Sequence, residues 1–263
     1  MLEPTYTPTE IMTVAAARRL ENGTVCFVGI GLPSAAANLA RITHAPEAVL
    51  IYESGTIGTK PNVLPLSIGD GELAETADTV VSVPEVFRYW LQGGRVDVGF
   101  LGAAQIDKFG NINTTVIGGT YDAPRVRLPG AGGAPEIATA AKEVVIILKH
   151  SKRAFVEKLD FVTSSGYFQK PTGNGEGGAR GRGPTTVITD LGILVSDSTT
   201  KELALTTLHP GVTVEQVKAA TGWQLKVARN LGVTPKPTAR ELAALRELHA
   251  RTVAAHGSVS SAE

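Results

Sequence analysis

Residues 47–59 read Glu-Ala-Val-Leu-Ile-Tyr-Glu-Ser-Gly-Thr-Ile-Gly-Thr. The apolar run Val49-Leu50-Ile51-Tyr52 predicts a buried strand of a parallel sheet. Glu53 ends that run and is followed at once by Ser54 and Gly55, then by Gly58. Open α/β sheets bind ligands just beyond the carboxyl ends of their strands, which is where this carboxylate falls. The glycines let other atoms approach it closely. An acid that caps its own turn would read the same way, so position alone leaves both roles open.

The flanking sequence extends the strand into a pattern. On the amino-terminal side, Thr9 to Leu20 predicts an amphipathic helix capped by Thr9 or Thr7. Thr24 to Val28 predicts a buried strand that runs through Gly29-Ile30-Gly31 into a small-residue helix, Ala35 to Arg41. Such a loop can present backbone N–H groups to an anion, although it lacks the third glycine of a dinucleotide fingerprint and also serves as a plain tight turn. On the other side, Lys60 to Ala74 reads as an irregular loop. Thr79 to Val83 reads as a strand, and Pro84 to Gln92 as a helix with proline in its first turn. Val96 to Leu101 is a further buried strand, and Arg125 to Leu128 leads into a second glycine-rich turn, Gly130 to Gly133. A short helix, Pro135 to Ala141, and a strand, Glu143 to Lys149, complete the alternation.

Strands alternating with helices in this way predict an α/β fold: an open, mostly parallel, doubly wound sheet with helices on both faces. A hairpin follows, Thr186 to Thr189 and Gly192 to Val195, turning at Asp190. Next come a strand, Leu203 to Leu208, and a capped helix, Thr213 to Gly222. Pro235 and Pro237 open a linker to a last helix, Thr238 to His256. The chain thus divides into a main domain, 1–234, and a carboxyl-terminal helix with a flexible tail, 235–263. The stretch 166–184 is too long for a plain connector.

Composition narrows the function classes. The chain is 43% hydrophobic and 19% charged, enough for a large core, and its 25 basic and 25 acidic residues cancel. That balance argues against a nucleic-acid surface or a polybasic membrane anchor and favours association with another subunit. No apolar run spans a bilayer, and no secretory signal opens the sequence. Cys26 is the single cysteine, so a reducing, cytoplasmic setting is expected, with Cys26 an inert strand residue. No His/Cys grouping has metal spacing.

Three glycine-bearing turns, Gly29 to Gly31, Ser54 to Gly58 and Gly130 to Gly133, are expected to follow buried strands and to converge on one rim. Glu53 is the one acid among the residues that end those strands. A carboxylate facing backbone N–H groups suits nucleophilic attack on a thioester carbonyl, with the N–H groups holding the oxyanion. It is ionised at neutral pH and needs no general base. None of the five histidines lies in a glycine turn.

Four motifs occur in a telling order: Gly29-Ile30-Gly31-Leu32-Pro33, Tyr52-Glu53-Ser54-Gly55, Leu101-Gly102-Ala103-Ala104-Gln105-Ile106-Asp107 with Gly110-Asn111, and Gly130-Ala131-Gly132-Gly133-Ala134. Together, over about residues 8–225, they resemble the β subunit of family I CoA-transferases. The resemblance implies that Glu53 attacks an acyl-CoA donor and carries a glutamyl-CoA thioester. It implies Gly133 as the oxyanion N–H, with Gly29, Gly31, Ser54, Gly55, Gly130 and Gly132 in contact with substrate or CoA, and it gives Gln105 and Asn111, which match family positions, either such a contact or a structural role. Many members have Ser-Glu-Asn-Gly at the motif. Here Ser54 stands in place of that asparagine, so its contact must be supplied by Ser54 or otherwise. The resemblance further implies CoA thioesters as substrates, no permanently bound cofactor or metal, and an α subunit that completes a shared site. The acceptor is expected to be a short dicarboxylate, 3-oxoadipate ahead of glutaconate, with Lys60, Arg88, Arg125 and Arg127 as candidates for its distal carboxylate. A CoA-thioester hydrolase or decarboxylase on the same scaffold is the alternative of another class.

Overall fold

The computed structural model describes residues 5–166 and 183–257. Its centre is a parallel sheet of β1 (Val25–Val28), β2 (Val49–Ile51), β5 (Val98–Leu101), β10 (Glu143–Ile147) and β11 (Pro184–Ile188). From β1 the chain steps outward to β2, then returns to place β5 on the other side of β1. This reversal of strand order makes a doubly wound sheet and opens a crevice at the carboxyl ends of its strands. Antiparallel strands extend both edges. Beyond β2 lie β3 (Thr56–Ile57) and β4 (Thr79–Val80). Beyond β11 lie β12 (Gly192–Ser196), β13 (Leu203–Leu208) and β14 (Lys226–Val233), the last parallel to β13. Among the described residues the sheet is open and ten-stranded.

Strand residues alternate between two apolar layers, as the two-residue period of a strand requires. Cys26, Val28, Leu50, Tyr52, Val145 and Ile147 face one layer, covered by α1 (Pro8–Ala17), α2 (Leu32–Thr43) and α7 (Ala239–His256). Phe27, Ile51, Val144 and Ile146 face the other. That layer is covered by a π-helix (Val86–Leu91) that continues a helical turn, α4 (Val83–Glu85), by α5 (Ala134–Ala140) and by α6 (Val214–Ala219). Among the described residues, no helix is long and apolar enough to cross a membrane.

Local chemistry sets the helix starts. Thr7, Thr213 and Thr238 each cap a helix, with Glu10, Gln216 and Glu241 reaching back in reciprocal capping boxes. Arg18 grips Glu241 through two nitrogens, at 2.8 and 2.7 Å, and also donates to the carbonyls of Pro235 and Lys236. The segment leading to α7 is therefore held against the end of α1, and Leu245 enters the same apolar layer as the α1 residues.

Several expectations need correction. The span 60–74 is not wholly irregular, because Asp70 caps a short helix, α3 (Gly71–Glu75). The strand at 79–83 shrinks to two exposed edge residues. The helix at 84–92 is mostly π-helical. Strand β14 has no counterpart among the expected elements, since its residues are mostly exposed and show no apolar alternation. The tail beyond Gly257 and nearly all of 166–184 lie outside the described residues.

Two buried histidines pin the β11–β12 hairpin. The His150 ring nitrogens meet Thr189 and Thr221, at 3.3 and 2.9 Å, and its ring stacks on Phe155. His209 joins the Thr189 carbonyl and Thr234. Burial pushes His150 down to about 4 and lowers His209 as well. The His150 ring is neutral in the fold at neutral pH, whereas the unfolded chain takes up its proton below about pH 6.5. The His150 contribution is therefore complete above that pH and is lost as pH falls toward about 4. Urea unfolding at about pH 7.5 and about pH 5 should show a loss of about 2 kcal/mol that His150→Gln removes. A His150→Gln protein with the wild-type slope would contradict this assignment.

Candidate active site

Glu53 stands at the corner of a tight turn. The Tyr52 carbonyl accepts the Gly55 N–H at 3.0 Å, and the Tyr52 N–H reaches the Thr56 carbonyl at 3.0 Å. Glu53 and Ser54 are thus the middle residues of a reversal between β2 and β3, and the carboxylate projects past the sheet rim, partly exposed. Gly55 makes the reversal possible. Its φ is +97°, and a Cβ there would lie 2.0 Å from the Val81 carbonyl oxygen. Gly58, at φ +67°, lies against the Asp78 side chain.

The Gly130 to Gly133 turn reaches Glu53 from 80 residues away. The Gly133 N–H donates to Glu53 Oε1 at 3.0 Å. A Cβ on Gly132 would lie 3.1 Å from Oε1 and 3.3 Å from Oε2, so the turn lies directly against the carboxylate. The turn is held from behind by Thr114, whose carbonyl accepts the Gly130 N–H and whose hydroxyl donates to the Gly130 carbonyl, both at 2.8 Å. It is held from the side by Phe87, because a Cβ on Gly133 would meet that ring at 2.4 Å. The Phe87 ring in turn tilts against Phe27 of β1, with centroids 5.6 Å apart.

The expectation that this turn follows a buried strand is wrong. It follows β9 (Pro124–Arg127), a largely exposed strand that pairs only with β8 (Val116–Gly119), outside the main sheet. The Gly29 to Gly31 turn does follow a buried strand. The Gly29 N–H donates to the Phe100 carbonyl at 2.9 Å, and Gly31, at φ +83°, is the residue from which α2 starts. It lies on the same rim as Glu53, one strand over.

Gln105 and Asn111 are occupied elsewhere. They belong to a small hairpin of β6 (Gln105–Ile106) and β7 (Ile112–Asn113). Gln105 donates to Asp160 at 2.7 Å and accepts from Asn113 at 2.8 Å. Asn111 donates to Asp107 and accepts from the Gly166 N–H, both at 2.8 Å, at the end of the hairpin away from Thr114. Gln105 packs into the hairpin whose continuation, Thr114, holds the Gly130 turn. Among the described residues, Ser54 Oγ beside Glu53 is buried without a hydrogen-bond partner. Of the four candidate cations, Lys60 is bound to Asp78, Arg127 covers Tyr121, Arg125 lies over Gly118, and Arg88 is exposed on the π-helix.

Sequence reasoning missed Phe87 and Thr114. Phe87 sits in an apolar helical pattern typical of any core residue. The one local hint was the Pro84 helix start, which says nothing of where the ring points.

The family model for coenzyme A transferase matches residues 9–220. The chain belongs to the coenzyme A transferase family. It is 65% identical over 252 residues, 96% of either chain, to the β subunit of 3-oxoadipate CoA-transferase from Pseudomonas knackmussii. Among solved family structures it is similar to glutaconate coenzyme A-transferase from Acidaminococcus fermentans, at 34% identity and a TM-score of 0.84, covering 94% of this chain and 95% of that one. The decarboxylase AibA/AibB shares the fold at 28% identity and a TM-score of 0.78, covering 97% of this chain and 100% of that one. Coenzyme A thioesters are the substrates that define the transferase family.

The Glu53 turn depends on a residue without a side chain at position 55. Gly55→Ala combines a strained φ with a backbone collision and should cost about 2–4 kcal/mol in urea unfolding. Stability within about 0.5 kcal/mol of wild type would show that the turn is not built as described.

Proposed function

We propose that this chain is the nucleophile-bearing β subunit of a 3-oxoadipate CoA-transferase, moving CoA from succinyl-CoA to 3-oxoadipate in the breakdown of aromatic compounds. The observation that carries the chemistry is the Gly133 N–H, 3.0 Å from Glu53 Oε1. The 65% identity to a protein of that name supports the choice of substrate.

The hydrogen bond divides the labour of the two carboxylate oxygens. Oε2 attacks the thioester carbonyl of the donor, and CoA leaves as the thiolate, giving a mixed anhydride. The thiolate then attacks Glu53 Cδ and expels the donor acid, leaving a glutamyl-CoA thioester. The acceptor carboxylate attacks Cδ in turn and releases the thiolate, which attacks the acceptor acyl group and regenerates the carboxylate. In both attacks on Cδ the negative charge develops on Oε1, the atom that already faces the Gly133 N–H. A donor aimed in advance at developing charge is worth about 10²–10³ in rate. Gly132 leaves room beside both oxygens for the incoming group.

An α subunit is the proposed partner. Glu53 is covered on one side by the Gly130 turn and Phe87 and remains partly exposed on the other, as suits a site shared between two chains. A cytoplasmic location accords with the buried, unpaired Cys26 thiol, which burial pushes up and so makes unreactive.

Co-expression with the α subunit provides the test. Glu53→Ala should lower transfer from succinyl-CoA on the order of a thousandfold or more. Borohydride added after incubation with acyl-CoA alone should inactivate the wild-type complex. 3-Oxoadipate should outperform glutaconate as acceptor. Full activity in Glu53→Ala would refute the mechanism, and a preference for glutaconate would refute the substrate.

A further inference from the structure

Tyr52 opens the turn that carries Glu53, and its side chain is buried in the opposite direction from the site. The ring enters the layer under α2, where its hydroxyl lies 2.7 Å from Ser34 Oγ and accepts from Asn38 Nδ2 at 3.2 Å. Asn38 also donates to the Ser34 carbonyl at 3.0 Å and sits 3.4 Å from its hydroxyl. None of the three residues is more than 1% exposed. Burial drives the Tyr52 phenol up to about 12 against the opposing effect of these hydrogen bonds, so it remains a neutral hydroxyl.

Polar side chains in an apolar layer carry a desolvation cost that phenylalanine and alanine would avoid. The return is geometric. The β1–β2 ladder ends at the pair Phe27 and Ile51. Beyond it, the backbone N–H and C=O of Tyr52 are both used within its own turn and fix the shape of that turn, not its place. Ser34 lies in the first turn of α2, which Gly31 begins. The Tyr52 hydroxyl thus ties the Glu53 turn to the helix that issues from the Gly29 to Gly31 turn.

We propose that Tyr52, Ser34 and Asn38 form a positioning network that holds Glu53 in register with the Gly133 N–H, and that it sets turnover without contributing to substrate binding. The proposal rests on the transferase reading above.

The test uses the complete complex with the α subunit and follows kcat and KM in Tyr52→Phe, Ser34→Ala and the double variant. The wild-type complex and Glu53→Ala are assayed beside them. Loss of a hydroxyl that sets alignment should lower kcat about tenfold while KM for the acyl-CoA stays within about twofold. The two single variants should fall alike and the double variant no further, because both break one network. Thermal midpoints report folding separately, and Ser34→Thr, which keeps a hydroxyl, should recover part of the loss. An unchanged kcat in Tyr52→Phe, a loss confined to KM, or single-variant losses that multiply in the double variant would overturn the proposal while leaving the transferase reading intact. A wild-type complex without transfer, or an active Glu53→Ala, would overturn both.

Discussion

A single hydrogen bond, from the Gly133 N–H to Glu53 Oε1, joins two turns that lie 80 residues apart. Much of the architecture serves that meeting. The parallel strands β1, β2 and β5 end on one rim, which places the Glu53 turn beside the Gly29 to Gly31 turn. The Gly130 turn does not share this origin. It is carried in by the β8–β9 pair, whose β9 strand is largely exposed, fastened by Thr114 and pressed into place by Phe87 from the π-helix. π-Helical turns are uncommon and cluster at functional sites. Here the π-helix carries the Phe87 ring that packs against Gly133, the glycine facing Glu53.

The demand for glycine follows from the same crowding. Gly55, Gly132 and Gly133 each face an atom that a side chain would displace: the Val81 carbonyl, the Glu53 carboxylate and the Phe87 ring. These are steric requirements of close approach, and they explain how four short motifs can identify a family. The coenzyme A transferase match spans both turns that this hydrogen bond joins.

What could be read in advance was what neighbouring residues decide. Threonines marked helix starts near Thr7, Thr213 and Thr238, and the apolar runs around Val25, Val49, Val98 and Val144 marked the central strands. Asp190 marked the turn of the hairpin it interrupts. What could not be read was decided by distant contacts. Nothing local distinguishes an exposed strand such as Arg125 to Arg127 from one that enters the sheet. Strand β14 has no apolar alternation because it lies at the sheet edge, largely in solvent. Gln105 and Asn111 matched positions in a motif, but their partners, Asp160 and Gly166, lie 55 residues away. Glu53 itself was legible because its signal was local, an acid ending an apolar run and followed by glycine.

The central claim is that Glu53 carries the CoA. Peptide mass mapping of the complex after incubation with acyl-CoA alone tests it most directly. A CoA adduct should appear on the peptide containing Glu53, be absent in Glu53→Gln and be discharged when the acceptor acid is added. An active complex that carries its adduct on another residue, or none at all, would contradict it.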